Sequence, residues 1–287
     1  MPSDPQLIKS AAARLPSSAR LIDTLYLALQ QHDVDIDHVI QLVAKDIAMS
    51  SRLLRMANSA SFSRGDPVTS LDQAFAWLGV FQAYRVACIT VAAQLSEQNL
   101  LIYNISADRL LANSVAMAVG MEILAQKTGL DPKTGYTIGL LQHLGRILLQ
   151  RVTSQTSMDI HAGAGDKPDI QAVLNWEKAT FDTTHIEAGN LVLAMWGMNP
   201  LFGKVLAHQY DVEPSVNPSA NCWSKLLHLV TPLVASTEFG LGLACCTWPV
   251  TEEMLLAVGL PGIPPQQLSK EIALNTMILC EQSGLAI

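Results

Sequence analysis

The side chains here that could do metal or acid–base chemistry are the histidines. His143, His185, His208 and His228 stand in apolar, helix-forming surroundings, whereas His32 and His38 stand among polar residues and are expected to be solvated. An imidazole binds divalent transition ions and titrates near neutral pH, so several in one core raise the question of a metal centre. Their spacing argues against it. The separations are long, and no His-x-x-x-His pair puts two rings on one helical turn. Taken singly, each fits a hydrogen-bonded core histidine.

Other catalytic signatures fail on missing parts. There is no G-x-S-x-G elbow and no phosphate-binding Walker loop, and Gly240-Leu241-Gly242 lacks the third glycine and preceding strand of a dinucleotide site. His185-Ile186-Glu187 has the H-x-E form of a zinc deaminase, but no P-C-x-x-C follows. The cysteines, Cys88, Cys222, Cys245, Cys246 and Cys280, are odd in number and form no C-x-x-C pair, which points to reduced thiols. The adjacent Cys245 and Cys246 fit two small buried apolar groups better than a redox pair.

The elements that must carry these residues are helical. Ser17 or Ser18 can cap a helix burying Leu21, Ile22, Leu25 and Leu29, and Asp35 can start one burying Val39, Ile40 and Val43. Asp46 to Ala57 follows, with Leu53, Leu54 and Ala57 at helical spacing. After a loop at Gly65-Asp66-Pro67, Ser70 opens a helix through Trp77, and Gly79 separates it from another ending at Leu95. The polar interlude from Ser96 to Asn104 suggests a boundary, dividing the chain into sub-domains at 1–97 and 98–287. Beyond it, Ser106 caps a helix to about Lys127, and Gly129 closes it. Pro132 starts one expected to run through His143 and Arg146 towards Arg151. Gly163 to Lys167 forms a small-residue loop. Further helices are expected from Asp169, Thr184 and Pro200, from Ser219 to about Thr237, around Glu253, and from Gln266 to Glu281.

The 287 residues are 49% hydrophobic and 15% charged, enough for a substantial core and incompatible with a disordered chain. The most apolar window, Leu229 to Val250, contains Pro232, Glu238, Gly240 and Gly242, and so suits a buried helix and a loop rather than a membrane span. With a net charge of −7 and no dense Lys/Arg stripe, nucleic-acid binding is disfavoured. The polar start, Met1 to Gln6, is unlike a secretion signal, so a cytoplasmic location is expected.

One block is more specific than periodicity. The run from Asp46 through Arg52-Leu53-Leu54-Arg55-Met56-Ala57-Asn58-Ser59-Ala60 resembles the most recognisable stretch of the HD-related output-domain (HDOD) family, with Ile47 where a Pro is usual. The resemblance continues through Pro67 to Leu71, Gln73-Ala74, Leu78-Gly79, Gly139 to Leu148, His185 to Gly197 and Ala207-His208, so it spans about Leu15 to Leu233. Leu53, Leu54 and Ala57 would be core residues on either view, and Asn58 and Ser59 suit a helix end.

The resemblance implies an all-α fold, an N-terminal helical bundle packed on a degenerate HD-like sub-domain. It also implies kinship with HD-superfamily metal phosphohydrolases. In their terms Asn113 stands at the first His position, His143 matches the His of the His-Asp pair, and Leu144 replaces its Asp. His185 matches a later His, His208-Gln209 a His-His pair that has lost its second member, and Thr231 lies near the final Asp. A leucine offers no lone pair to a hard cation, and two-metal activation of water loses its bridging carboxylate. The expectation is therefore a bacterial regulator without enzyme activity, metal or cofactor, which relays a signal by contacting another signalling protein. A pseudo-enzyme sensing a nucleotide or other small anion in a vestigial pocket of His143, Arg146, His185 and His208 is the alternative, with an active metal phosphohydrolase behind both. Arg146 could meet such an anion through a bidentate contact, or be a plain helix cation.

Overall fold

The computed structural model describes residues 5–15, 19–30, 35–63, 65–156, 169–210, 218–241 and 248–285. Among these the regular elements are all helical, and the only bridge pairs Leu100 with Ile105. The all-α expectation holds.

The first group comprises α1 (Pro5–Ala13), α2 (Ala19–Gln30), α3 (Ile36–Ala44), α4 (Ile47–Ala57), α5 (Leu71–Leu78) and α6 (Val80–Leu95). Its starts follow the local chemistry: Asp35, Asp46 and Ser70 each accept a bond from the backbone N–H three residues on. Ser17 and Ser18 lie outside the described residues. Gly79, at φ 77°, ends α5 and lets the chain turn sharply into α6. The turn matters for one reading of the composition. No single helix among the described residues is long and apolar enough to cross a membrane, and α5 with α6, which would pass together, are bent by 113°.

The specific block corrects one expectation. Leu53 and Ala57 are buried, but Leu54 is only partly so, and the buried stripe of α4 runs instead through Met49, Leu53 and Met56. Asn58 ends the helix and clamps the following loop. Its Nδ2 donates to Leu54 O at 2.8 Å and to Val68 O at 2.9 Å, while its Oδ1 accepts from Val68 N at 2.8 Å. Ser59 Oγ donates back to Met56 O.

The helix α1 was not foreseen, because Met1 to Gln6 is polar; its apolar positions begin at Leu7, which is partly buried, and Ile8, Ala11 and Ala12 are buried. The interlude after α6 is less polar in space than in sequence. It holds a short 3₁₀ turn, Leu101–Tyr103, with Ile102 and Tyr103 buried.

The second group comprises α7 (Ala107–Lys127), α8 (Pro132–Leu141), α9 (Leu144–Thr156), α10 (Ile170–Phe181), α11 (His185–Met195), α12 (Pro200–Ala207), α13 (Pro218–Ala235), α14 (Glu252–Ala257) and α15 (Pro265–Ser283). Helix α7 is its axle, buried over most of its length and packed by α6, α8, α13 and α15. A Cβ on Gly139 would collide with the Met117 carbonyl, so α8 can lie this close to α7 only with glycine there. The helix expected from Pro132 to Arg151 is two helices, broken at Gln142-His143. Gln142 keeps helical angles (φ −59°, ψ −26°), so the bend leaves no Gly or Pro mark in the sequence. Residues 163–167, the expected loop, lie outside those described.

Candidate functional site

The break between α8 and α9 is what builds the site. His143 stands in it, its carbonyl accepting the first helical bond of α9 from Ile147 N at 3.0 Å. Its ring is buried. His143 Nε2 lies 2.8 Å from Asn113 Oδ1 on α7, and Asn113 Nδ2 donates to Phe239 O at 2.8 Å. One turn along α9, Arg146 Nη1 is 3.4 Å from His143 Nδ1. A guanidinium has only donors, so Nδ1 carries the lone pair and Nε2 the proton. Burial first, and then the Arg146 charge with a smaller electrostatic effect of the neighbouring His185, hold the His143 pKa well below the ordinary imidazole value, so the ring is neutral.

Helix α11 brings the second imidazole. Thr184 and Glu187 form a reciprocal cap at its start, which fixes His185 as its first residue. A Cβ on Gly145 would collide with the His185 carbonyl, so α9 and α11 approach this closely only because position 145 is glycine. His185 Nδ1 lies 2.8 Å from both carboxylate oxygens of Glu177 on α10, and its backbone N–H donates to Oε2 at 2.8 Å. Tyr103 OH donates to Glu177 Oε1 at 2.6 Å.

Tyr210 joins the two halves. Arg146 Nη2 donates to its hydroxyl at 3.2 Å, and the hydroxyl is 3.0 Å from His185 Nε2. Since Nδ1–H is given to the carboxylate, Nε2 accepts from Tyr210. A directed chain therefore runs from Arg146 through Tyr210 and His185 to Glu177, and Tyr103 closes it, with the Arg146 guanidinium carbon 5.8 Å above its ring centre.

The charges follow. Burial works to raise the Glu177 carboxyl, but the bonds from His185 and Tyr103 outweigh it and leave the pKa below the ordinary value. Burial and the Arg146 charge lower His185 against the pull of Glu177, so the pair is neutral imidazole and carboxylate. The site thus holds one fixed cation and one fixed anion with neutral rings between.

A small cavity opens beside this chain, lined by Asn113, Gln142, His143, Arg146, Gln209, Tyr210 and Thr231 among others. Its free volume is about 20 Å³, room for roughly one water. Thr231 turns its hydroxyl back to Leu227 O at 2.8 Å. Leu144 is buried as the first residue of α9.

Of the residues singled out by sequence, the structure joins His143, Arg146 and Asn113 directly and His185 through Tyr210. His208 ends α12 as its C-cap and does not line the cavity; Gln209 and Tyr210 after it do. His228 lies apart, its Nδ1–H donating to Gln209 O at 3.1 Å and its ring stacked 4.1 Å from that of Trp248. Glu177, Tyr103 and Tyr210 were missed. For Glu177 a signal existed: with Val173 and Phe181 it falls at i, i+4 and i+8 on the buried face of α10. A carboxylate on an apolar stripe implies a buried partner.

The profile of the HDOD domain matches residues 15–212. The chain belongs to the HDOD family. No match was found among curated proteins. Solved structures share the fold at low identity. An HDOD domain protein of unknown function from Geobacter sulfurreducens is 18% identical, with a TM-score of 0.63 over 99% of this chain and 92% of its own. A protein provisionally described as a phosphohydrolase, from Shewanella amazonensis, is also 18% identical, with a TM-score of 0.61 over 98% of each chain. One provisionally described as a signal transduction protein, from Marinobacter aquaeolei, is 18% identical with a TM-score of 0.67, over 98% of this chain and 65% of its own. In this HDOD chain the family block Asp46 to Ala60 lies in α4 and its exit, and the buried chain of His143, Arg146 and His185 lies in the second group of helices.

Proposed function

We propose that this HDOD protein is a non-catalytic signal-transduction module that acts through contacts with another protein. The observation that carries the reading is the state of the two imidazoles. In HD phosphohydrolases the positions that His143 and His185 resemble hold metal. Here the Nδ1 lone pair of His143 meets Arg146 and the Nε2 lone pair of His185 meets Tyr210. A divalent ion does not fit this donor set. It would have to displace both donors, approach a guanidinium of its own sign, and do without a carboxylate at Leu144. Among the described residues no group of three or more His, Cys, Asp or Glu could hold an ion.

The cavity supports the protein-contact reading over a nucleotide sensor, since about 20 Å³ is far below the few hundred Å³ of an ordinary small-molecule pocket. The description of the Marinobacter protein as a signal transducer is in keeping with the same role.

The test combines two measurements on the full chain. Incubation with generic phosphodiesters and cyclic dinucleotides, with manganese supplied, is expected to give no turnover. Capture from the native organism, followed by a dissociation constant measured with the purified partner, is expected to give saturable binding. Turnover that is lost with a chelator and with His143→Ala would reverse the proposal.

A further inference from the structure

The longest exposed apolar stripe on a described helix lies on α15. Its inner face, Leu268, Ile272, Thr276 and Leu279, is buried against α7, α13 and α4. Its outer face exposes Leu274 (58%), Met277 (54%) and Ile278 (40%), with no described element over them. Lys270 and Glu281 are exposed at the two ends of the same stripe. Single exposed apolar residues need no explanation, but a ridge of three on one face marks an interaction surface.

The spacing names the occupant. Lys270, Leu274, Met277 and Glu281 follow the four–three–four rhythm of a helix that packs lengthwise on another helix. We propose that α15 pairs with α15 of a second copy, antiparallel, about a twofold axis passing between Leu274 and Met277. Under that operation Leu274 meets the second copy's Met277, and Lys270 meets the second copy's Glu281, each contact occurring twice as a twofold interface requires. A parallel pairing would set lysine against lysine and glutamate against glutamate. The charge order on the stripe is self-complementary in one direction only, and it selects the antiparallel one. A single helix face is at the small end of specific interfaces, which cover about 800 Å² per partner, so the dimer is a reversible one. This inference is independent of the state of the histidine site.

Sedimentation equilibrium on the full chain decides it. The wild type is expected to show concentration-dependent mass rising to twice that of one chain. Lys270→Glu alone and Glu281→Lys alone should each weaken association by roughly tenfold or more, since two attractive pairs become repulsive. The double reversal should restore it, because the complementary order returns. The decisive arm mixes the two single variants: each alone is mainly monomeric, while the mixture forms a heterodimer with both pairs matched. All substitutions are at exposed positions, and circular dichroism checks that each variant folds. A wild type that stays monomeric at all concentrations, or a dimer indifferent to the reversals, would overturn the proposal. So would a double variant no better than the singles, which would leave the stripe to a different partner.

Discussion

At the scale of single residues, Asn58 shows how one polar side chain holds a connection in place. Its amide satisfies one carbonyl of α4 and both backbone groups of Val68, which tie the exit of α4 to the segment leading into α5. Asn58→Ala should therefore lower stability by about 1–3 kcal/mol, read as a drop in the thermal midpoint; an unchanged midpoint would mean that the residue serves a partner surface instead. In the same helix Leu53→Ala should cost about 2–5 kcal/mol and Leu54→Ala clearly less, since only Leu53 is enclosed. Urea unfolding of the two variants checks the order. Protonation belongs at this scale too. His143 and His185 have lowered values in the folded chain, so the unfolded chain takes up protons first as pH falls below about 6.5. Their contribution is present above that pH and is lost on acidification, and Glu177, also lowered, adds a further loss below about 4.5. Stability measured from pH 7.5 down to 5 should fall, and His143→Gln should flatten the slope.

At the scale of elements, the caps and most of the buried stripes were readable because they are local, although Leu21, Ile40 and Leu54, expected inside, are only partly buried. Asp35, Asp46, Ser70, Ser106, Asp169 and Thr184 each begin a helix where a short polar side chain precedes an apolar period. The break between α8 and α9 was not readable, because Gln142 keeps helical angles and the apolar period runs on through it. The site shows the same division. Arg146 was within reach of His143 by spacing alone, whereas Tyr103 and Tyr210 are brought in by tertiary packing from segments far along the chain. Close approach of helices is an element property that sequence can hint at through glycine. Gly145→Ala should be severe, because its Cβ would meet the backbone of α11, while at Gly189 an added Cβ would come no nearer than 3.4 Å to Gly145 N. The expected cost is about 1–3 kcal/mol or more for the first and clearly less for the second, with loss of near-ultraviolet dichroism as the sign that α9 and α11 have separated.

At the scale of the whole molecule, the two groups of helices are not laid end to end in space. Helix α1 packs on α9 and α11, and α15 returns to α4, where Arg55 Nη1 donates to Gly284 O at 3.4 Å. The chain that joins Arg146 to Glu177 sits within this closed arrangement, and its charges cancel inside it. A buried cation and a buried anion linked through neutral groups form an arrangement in which each member satisfies the next, so an ion bound by either imidazole must break at least one existing bond. This leads to a prediction about the protein as a whole. A metal bound to the folded chain at a hundredfold excess over its dissociation constant would add about 2.7 kcal/mol of stability. Thermal unfolding with manganese or zinc in excess, and again with a chelator, should instead give the same midpoint. A rise with metal that disappears in both His143→Ala and His185→Ala would show that the imidazoles can exchange Arg146 and Tyr210 for an ion, and the molecule would then have to be understood as a metalloprotein whose ligands are masked in the resting state.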